Sequence, residues 1–175
     1  MRQHARCFDS PAVRSRGAIL VGGFCMQLAL GAVYGWSVFV NPLREHFGAS
    51  RLEINLTFTI TLMVLGIAAG VGGHLQHQFG PRAIAGVAGV LYGAGVFLSG
   101  LAPNLTALYL SQGVLGGIGL GLGYIVPLAV LIGWFPDKRG LITGFAVTGF
   151  GLGAVVTGPL ATELIRTMGV QNTLM

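Results

Sequence analysis

The chain has 175 residues, of which 53% are hydrophobic, only 9% are charged and 30 are glycine, and its mean hydropathy is +0.77. A water-soluble domain carries about 25% charged residues, so a soluble globular domain is excluded, and high hydrophobicity with low charge excludes disorder as well. The net charge of +5 is spread over a leader and short loops, with no basic face interleaved with aromatics, which argues against a nucleic-acid partner and leaves the lipid bilayer.

Residues 1–16 read as a basic leader with Arg2, Arg6, Arg14 and Arg16. Cys7 and Cys25, one in the leader and one in the first apolar run, do not suggest a disulfide framework. A spanning helix needs about 20 apolar residues to cross roughly 30 Å of hydrocarbon. Residues 18–40, 54–73, 83–102, 105–133 and 140–162 meet that need, and none of these five segments contains Asp, Glu, Lys, Arg or His. The first is longer than the apolar core of a cleaved signal peptide, so it counts as a span. No charge lies between Arg82 and Asp137. That stretch exceeds one crossing, and Pro103-Asn104 divides it, because both residues favour a turn over continued helix. Residues 166–175 read as the start of a further loop or helix.

Seven basic residues (Arg2, Arg6, Arg14, Arg16, Arg82, Lys138, Arg139) fall on one side of this threading and three (Arg44, Arg51, Arg166) on the other. Excess Lys and Arg marks the cytoplasmic side, so the N-terminus is expected inside a cytoplasmic-type membrane. Trp134 and Phe135 suit the inner interface. Lipid is as apolar as leucine, so helices associate where small residues let backbones approach. Such spacings recur at Gly31/Gly35, Gly66/Gly70, Gly89/Gly93, Gly113/Gly117/Gly121, Gly119/Gly123, Gly140/Gly144 and Gly149/Gly153. They predict an all-α bundle of closely packed helices.

Chemistry-bearing motifs are few. The GxGxxG-like string at residues 117–123 lies inside an apolar run with no following acid near the required spacing, so no nucleotide or other cofactor is expected. His74 and His77 have no third ligand, so no metal is expected. Asn55-Leu56-Thr57 and Asn104-Leu105-Thr106 are chance matches to the glycosylation triplet. The spans lack polar catalytic groups, and an enzyme is not expected. Within the spans Gln27, Tyr34, Trp36 and Tyr124, the last followed by Pro127, require partners in lipid. They are candidates either for interhelical hydrogen bonds or for lining a substrate pathway.

At these residues a resemblance emerges. Gly31-Ala32-Val33-Tyr34-Gly35-Trp36-Ser37-Val38-Phe39 with Asn41-Pro42-Leu43 resembles the end of the first helix in the oxalate/formate antiporter family of the major facilitator superfamily. Phe79-Gly80-Pro81-Arg82 resembles its loop between helices two and three. Trp134-Phe135-Pro136-Asp137-Lys138-Arg139-Gly140 resembles the loop after helix four, and Gly149-Phe150-Gly151-Leu152-Gly153 resembles helix five. The resemblance implies the first five helices of a twelve-helix secondary transporter of small carboxylates. It implies Tyr34 and Tyr124 at the substrate, with Trp36, Gln27 and Asn55 as further candidates. It also implies a conformational loop motif at Gly73, His77, Gly80 and Arg82, in which His77 and Gln78 stand where the family has an acid and a base.

Superfamily transporters have two six-helix halves around a midplane site. Five spans are therefore expected to act with a missing C-terminal half or a second membrane protein, and to be inactive alone. A truncated non-transporting fragment and a structural or regulatory subunit are the alternative readings. Labelling from the two faces of sealed vesicles is expected to find residues 137–139 and 45–51 on opposite sides, the former cytoplasmic. Finding both on one side would overturn the five-span threading.

Overall fold

The computed structural model describes residues 16–174. The leader lies outside the described residues except for Arg16, which opens the first helix. Among the described residues, five helices are long and apolar enough to cross a membrane: α1 (Gly17–Phe47), α2 (Arg51–Phe79), α3 (Pro81–Gly100), α4 (Leu105–Trp134) and α5 (Pro136–Met168). A short α6 (Val170–Leu174) follows. Four of these helices contain an expected apolar segment whole and run beyond it, whereas α3 ends at Gly100, two residues short of the end of the expected 83–102. Hydropathy records where lipid ends, whereas a helix ends where its last peptide groups find caps. Arg44, Glu45 and His46 thus ride on the last turn of α1, which stops at Gly48 in the left-handed conformation.

The connections follow local chemistry. Ser50 and Glu53 form a reciprocal capping box at the start of α2, a pairing that satisfies two otherwise unpaired N–H groups. Gly80, with φ of 84°, turns α2 directly into Pro81, the first residue of α3. Proline suits that position because its missing N–H is not needed there. Asn104 caps α4, its Oδ1 accepting from Ala107 N–H at 2.8 Å. The glycosylation-like triplet at Asn104 thus has a plain conformational use.

α4 is the axis of the bundle. Its most apolar stretch is 56% buried, against 22–28% for the other four. It meets α2 and α3 through glycine. A Cβ on Gly121 would stand 2.5 Å from the Leu65 carbonyl oxygen, and one on Gly95 of α3 would stand 2.6 Å from Gly116 N. α1 crosses α5 in the same way, since a Cβ on Gly31 would collide with the Phe150 carbonyl and one on Gly153 with Gly31 itself. Gly66/Gly70, Gly89/Gly93 and Gly140/Gly144, expected to serve the same purpose, face open space instead. α2 and α3 each turn one face to α4, and Gly66, Gly70, Gly89 and Gly93 lie off that face, while Gly140 and Gly144 stand in the first turns of α5.

Among the described residues, three stretches depart from α geometry. Pro136–Lys138 opens α5 as a 3₁₀ turn, Gly31–Gly35 tightens to a 3₁₀ helix, and Tyr109–Gly116 widens to a π-helix. Side chains act on the carbonyls of the wide stretch and its neighbour. Thr61 Oγ1 on α2 lies 3.3 Å from Gln112 O and 2.8 Å from Thr57 O, and Ser111 Oγ donates to Ala107 O at 2.7 Å. At the end holding the α1–α2 and α3–α4 connections, Leu174 of α6 joins Trp36, Phe39, Val40, Leu43, Ile54, Ala102 and Leu108 in one core. Gln171 Nε2 meets His46 Nε2 there at 2.9 Å.

Gly31→Ala is expected to weaken the α1–α5 crossing by about 1–3 kcal/mol through overpacking, read as a lower Tm in detergent. Gly89→Ala is expected to leave Tm unchanged or raise it, because alanine is favoured over glycine in a helix by about 1 kcal/mol. Equal stability of the two variants would show that α1 and α5 do not meet at Gly31.

Candidate functional site

An aromatic face forms where α1, α2, α4 and α5 converge. Tyr34 sits in the 3₁₀ turn of α1, which the Gly31 contact presses against α5. Its ring meets the Phe150 ring of α5 edge-on at 5.1 Å, and the Tyr124 ring of α4 meets the same Phe150 edge-on at 5.0 Å. Phe58 of α2 lies 6.3 Å from Tyr34. Edge-to-face pairs at these separations are favourable because a positive ring edge meets a negative ring face. Phe150 is buried and acts as the wedge that holds two tyrosines from different helices on one surface. Tyr34 is 43% exposed and Tyr124 is half-buried, so this surface stays open on one side.

Gln27 joins the site from beneath. It is fully buried, and its Nε2 donates to the Tyr124 carbonyl oxygen at 3.3 Å, tying α1 to α4. Gln27 Oε1 is buried without a partner.

Of the other candidates, Trp36 takes a different direction. Two residues along a helix turn the side chain by roughly 200°, so Tyr34 is exposed while Trp36 is buried in the core at the α1–α2 end, its ring 6.4 Å from Phe39. Trp36 Nε1 has no partner there. Asn55 is half-buried in the second turn of α2, where its carbonyl accepts from Thr59 Oγ1 at 3.2 Å. The structure therefore brings Tyr34, Tyr124 and Gln27 together and leaves Trp36 and Asn55 apart from them.

The loop-motif residues gather at the opposite end. Gly73 and His77 belong to the last turns of α2, Gly80 makes the turn, and Arg82 is exposed in the first turn of α3. At the same end of α2, His74 Nε2 and Gln78 Nε2 are 2.9 Å apart.

Two features escaped the sequence reading. Phe150 carries both tyrosine contacts, and its available signal was a single aromatic between Gly149 and Gly151 with room to stand out from α5. The second is a buried polar seam between α2 and α4. Gln112 and Thr57 are buried there, with Gln112 Oε1 and Thr57 Oγ1 unpartnered. Nothing about a single Gln or Thr in an apolar run shows which way it points.

Comparison with known proteins bears on what such a surface handles. Residues 19–175 match the model of the Major Facilitator Superfamily. An uncharacterized MFS-type transporter of Escherichia coli (strain K12), YhjX, is 36% identical over 162 residues, which cover 93% of this chain and 40% of that protein. The oxalate:formate antiporter of Oxalobacter formigenes is 31% identical over 150 residues, covering 86% of this chain and 36% of its own length. Monocarboxylate transporter 13 of Bos taurus is 31% identical over 157 residues, covering 90% and 37%. The chain thus spans less than half the length of these relatives.

Proposed function

The chain belongs to the Major Facilitator Superfamily, and we propose that it forms the substrate-facing five-helix portion of a secondary transporter of small carboxylates, of the oxalate/formate or monocarboxylate kind. The observation that carries this reading is the pair of phenols, Tyr34 and Tyr124, held on one open face by Phe150. A phenol donates a hydrogen bond to a carboxylate without the desolvation cost of an ionised side chain buried in lipid. Relatives named for oxalate, formate and monocarboxylates support the substrate class.

The work is transport rather than bond making. Substrate binds near the midplane, and one helical bundle rocks against another to expose it to each side in turn. The five apolar segments carry no cation at depth, and an unpaired carboxylate in such a setting is costly. The counter-charge comes from a partner bundle, either the rest of a longer chain or a second membrane protein. The chain sits in the cytoplasmic membrane with its basic N-terminal side inside, as the Lys and Arg distribution favours.

In the assembled transporter, Tyr124→Phe is expected to weaken carboxylate binding roughly ten- to a hundredfold, the loss for one hydrogen bond to a charged group of about 1.5–3 kcal/mol. Half-saturation for oxalate and formate in vesicles measures it. Unchanged affinity would return Tyr124 to a packing role. Vesicles holding residues 1–175 alone are expected to exchange no carboxylate. Measurable exchange would overturn the assignment of the counter-charge to a partner bundle.

A further inference from the structure

α4 remains helical from Gly117 to Trp134 although residue 127 is proline. Proline offers no N–H to the carbonyl of Gly123, and its ring crowds the turn before it. In lipid a turn weakened in this way relies on neighbouring helices and local backbone adjustment for support. One residue after Gly123, the Tyr124 carbonyl receives Gln27 Nε2 from α1 at 3.3 Å. α1 rests on α4 to either side of this bond. A Cβ on Gly23 would stand 2.9 Å from Leu131 Cδ1, and one on Gly123 would stand 3.2 Å from Leu30 Cδ1. The orientation of the amide is determined, since only its NH₂ donates to a carbonyl, and its Oε1 has no competing partner.

We propose that Gln27 is a positioning residue: its amide clamps the proline-weakened turn of α4 onto α1 and so sets the direction in which the Tyr124 ring meets Phe150. Gln27 is itself fully buried and its donor is committed to backbone, so it acts on substrate through Tyr124 and not by touching it. That last step rests on the transport reading above; the clamp does not.

The test uses the chain in lipid bilayers without substrate, so its failure is separable from a failure of the transport reading. Tyr124-Ile125 is the one Tyr-Ile pair in the sequence. Carbonyl-¹³C tyrosine with ¹⁵N isoleucine therefore isolates the Tyr124 carbonyl by nuclear magnetic resonance. In Gln27→Met, similar in size but without the donor, that carbonyl is expected to shift upfield as its hydrogen bond is lost. The Tyr124 ring protons are expected to lose the shift imposed by Phe150. In a Pro127→Ala background, where residue 127 regains its N–H, the same substitution is expected to move the ring signals much less, because the two sites act on one turn. Gln27→Asn, which keeps the amide but shortens its reach, is expected to behave as Gln27→Met and covers the case in which methionine prevents folding. An unmoved carbonyl signal would overturn the hydrogen bond. Equal ring shifts in the Pro127→Ala background and in the chain that keeps Pro127 would overturn its link to the proline turn.

Discussion

Everything in this bundle depends on peptide backbones coming into contact inside lipid. No hydrophobic force draws one spanning helix to another there, so association relies on dispersion between closely apposed surfaces and on polar groups that find partners across the gap. Glycine supplies the first. On α4, Gly117 and Gly121 face carbonyl oxygens of α2 and Gly119 faces the α3 backbone, while Gly31 and Gly153 do the same between α1 and α5. The second appears where the helix is irregular. The π-helical stretch of α4 has the Gln112 carbonyl contacted by Thr61, and the proline turn has the Tyr124 carbonyl held by Gln27. A helix crowded with glycine and interrupted by proline would be weak alone. Here its neighbours brace α4 beside both irregular stretches.

The same crowding places the aromatic face. Because Gly31 admits the Phe150 backbone against α1, the Phe150 side chain reaches the gap between α1 and α4, where both tyrosines meet it. Packing and site are therefore one arrangement. A side chain at position 31 would displace Phe150 and take the mutual orientation of Tyr34 and Tyr124 with it. The polar tips of those tyrosines are uncharged hydrogen-bond donors on an apolar support, so this face stores no fixed charge in the membrane.

The five crossings were legible because each rests on a property summed over some twenty residues, the cost of placing polar groups in hydrocarbon. Helix ends were less so, although Ser50-x-x-Glu53 and Gly80-Pro81 are local signals for the start of α2 and the turn into α3. Glycine spacing was legible and its direction was not. Gly121 and Gly66 sit in equally regular patterns, yet one touches backbone and the other faces open space, since only the assembled bundle decides which face is inside. The 3₁₀ and π stretches depend on neighbours in the same way. Tyr34 and Tyr124 could be singled out as polar groups in lipid, but Phe150, being apolar, gave no such cue, and its part in the site comes from long-range packing between α5 and α1.

The distribution of irregularity along α4 has a mechanical meaning. A regular helix transmits displacement as a rod, and deformation concentrates where the hydrogen-bond ladder is interrupted. α4 is interrupted at Tyr109–Gly116 and again at Pro127, and Tyr124 lies between the two points, next to the second. The first interruption faces α2 through Thr61, and the second faces α1 through Gln27. A shift of α1 relative to α2 would therefore strain α4 at both places and be felt at the residue between them. Glycines at 116, 117, 119, 121 and 123 alternate with the buried Leu120 and Leu122 along this stretch, so α4 meets its neighbours through backbone and side chain together, and the position of the Tyr124 phenol is coupled to how α1 and α2 lean on either side of their shared axis.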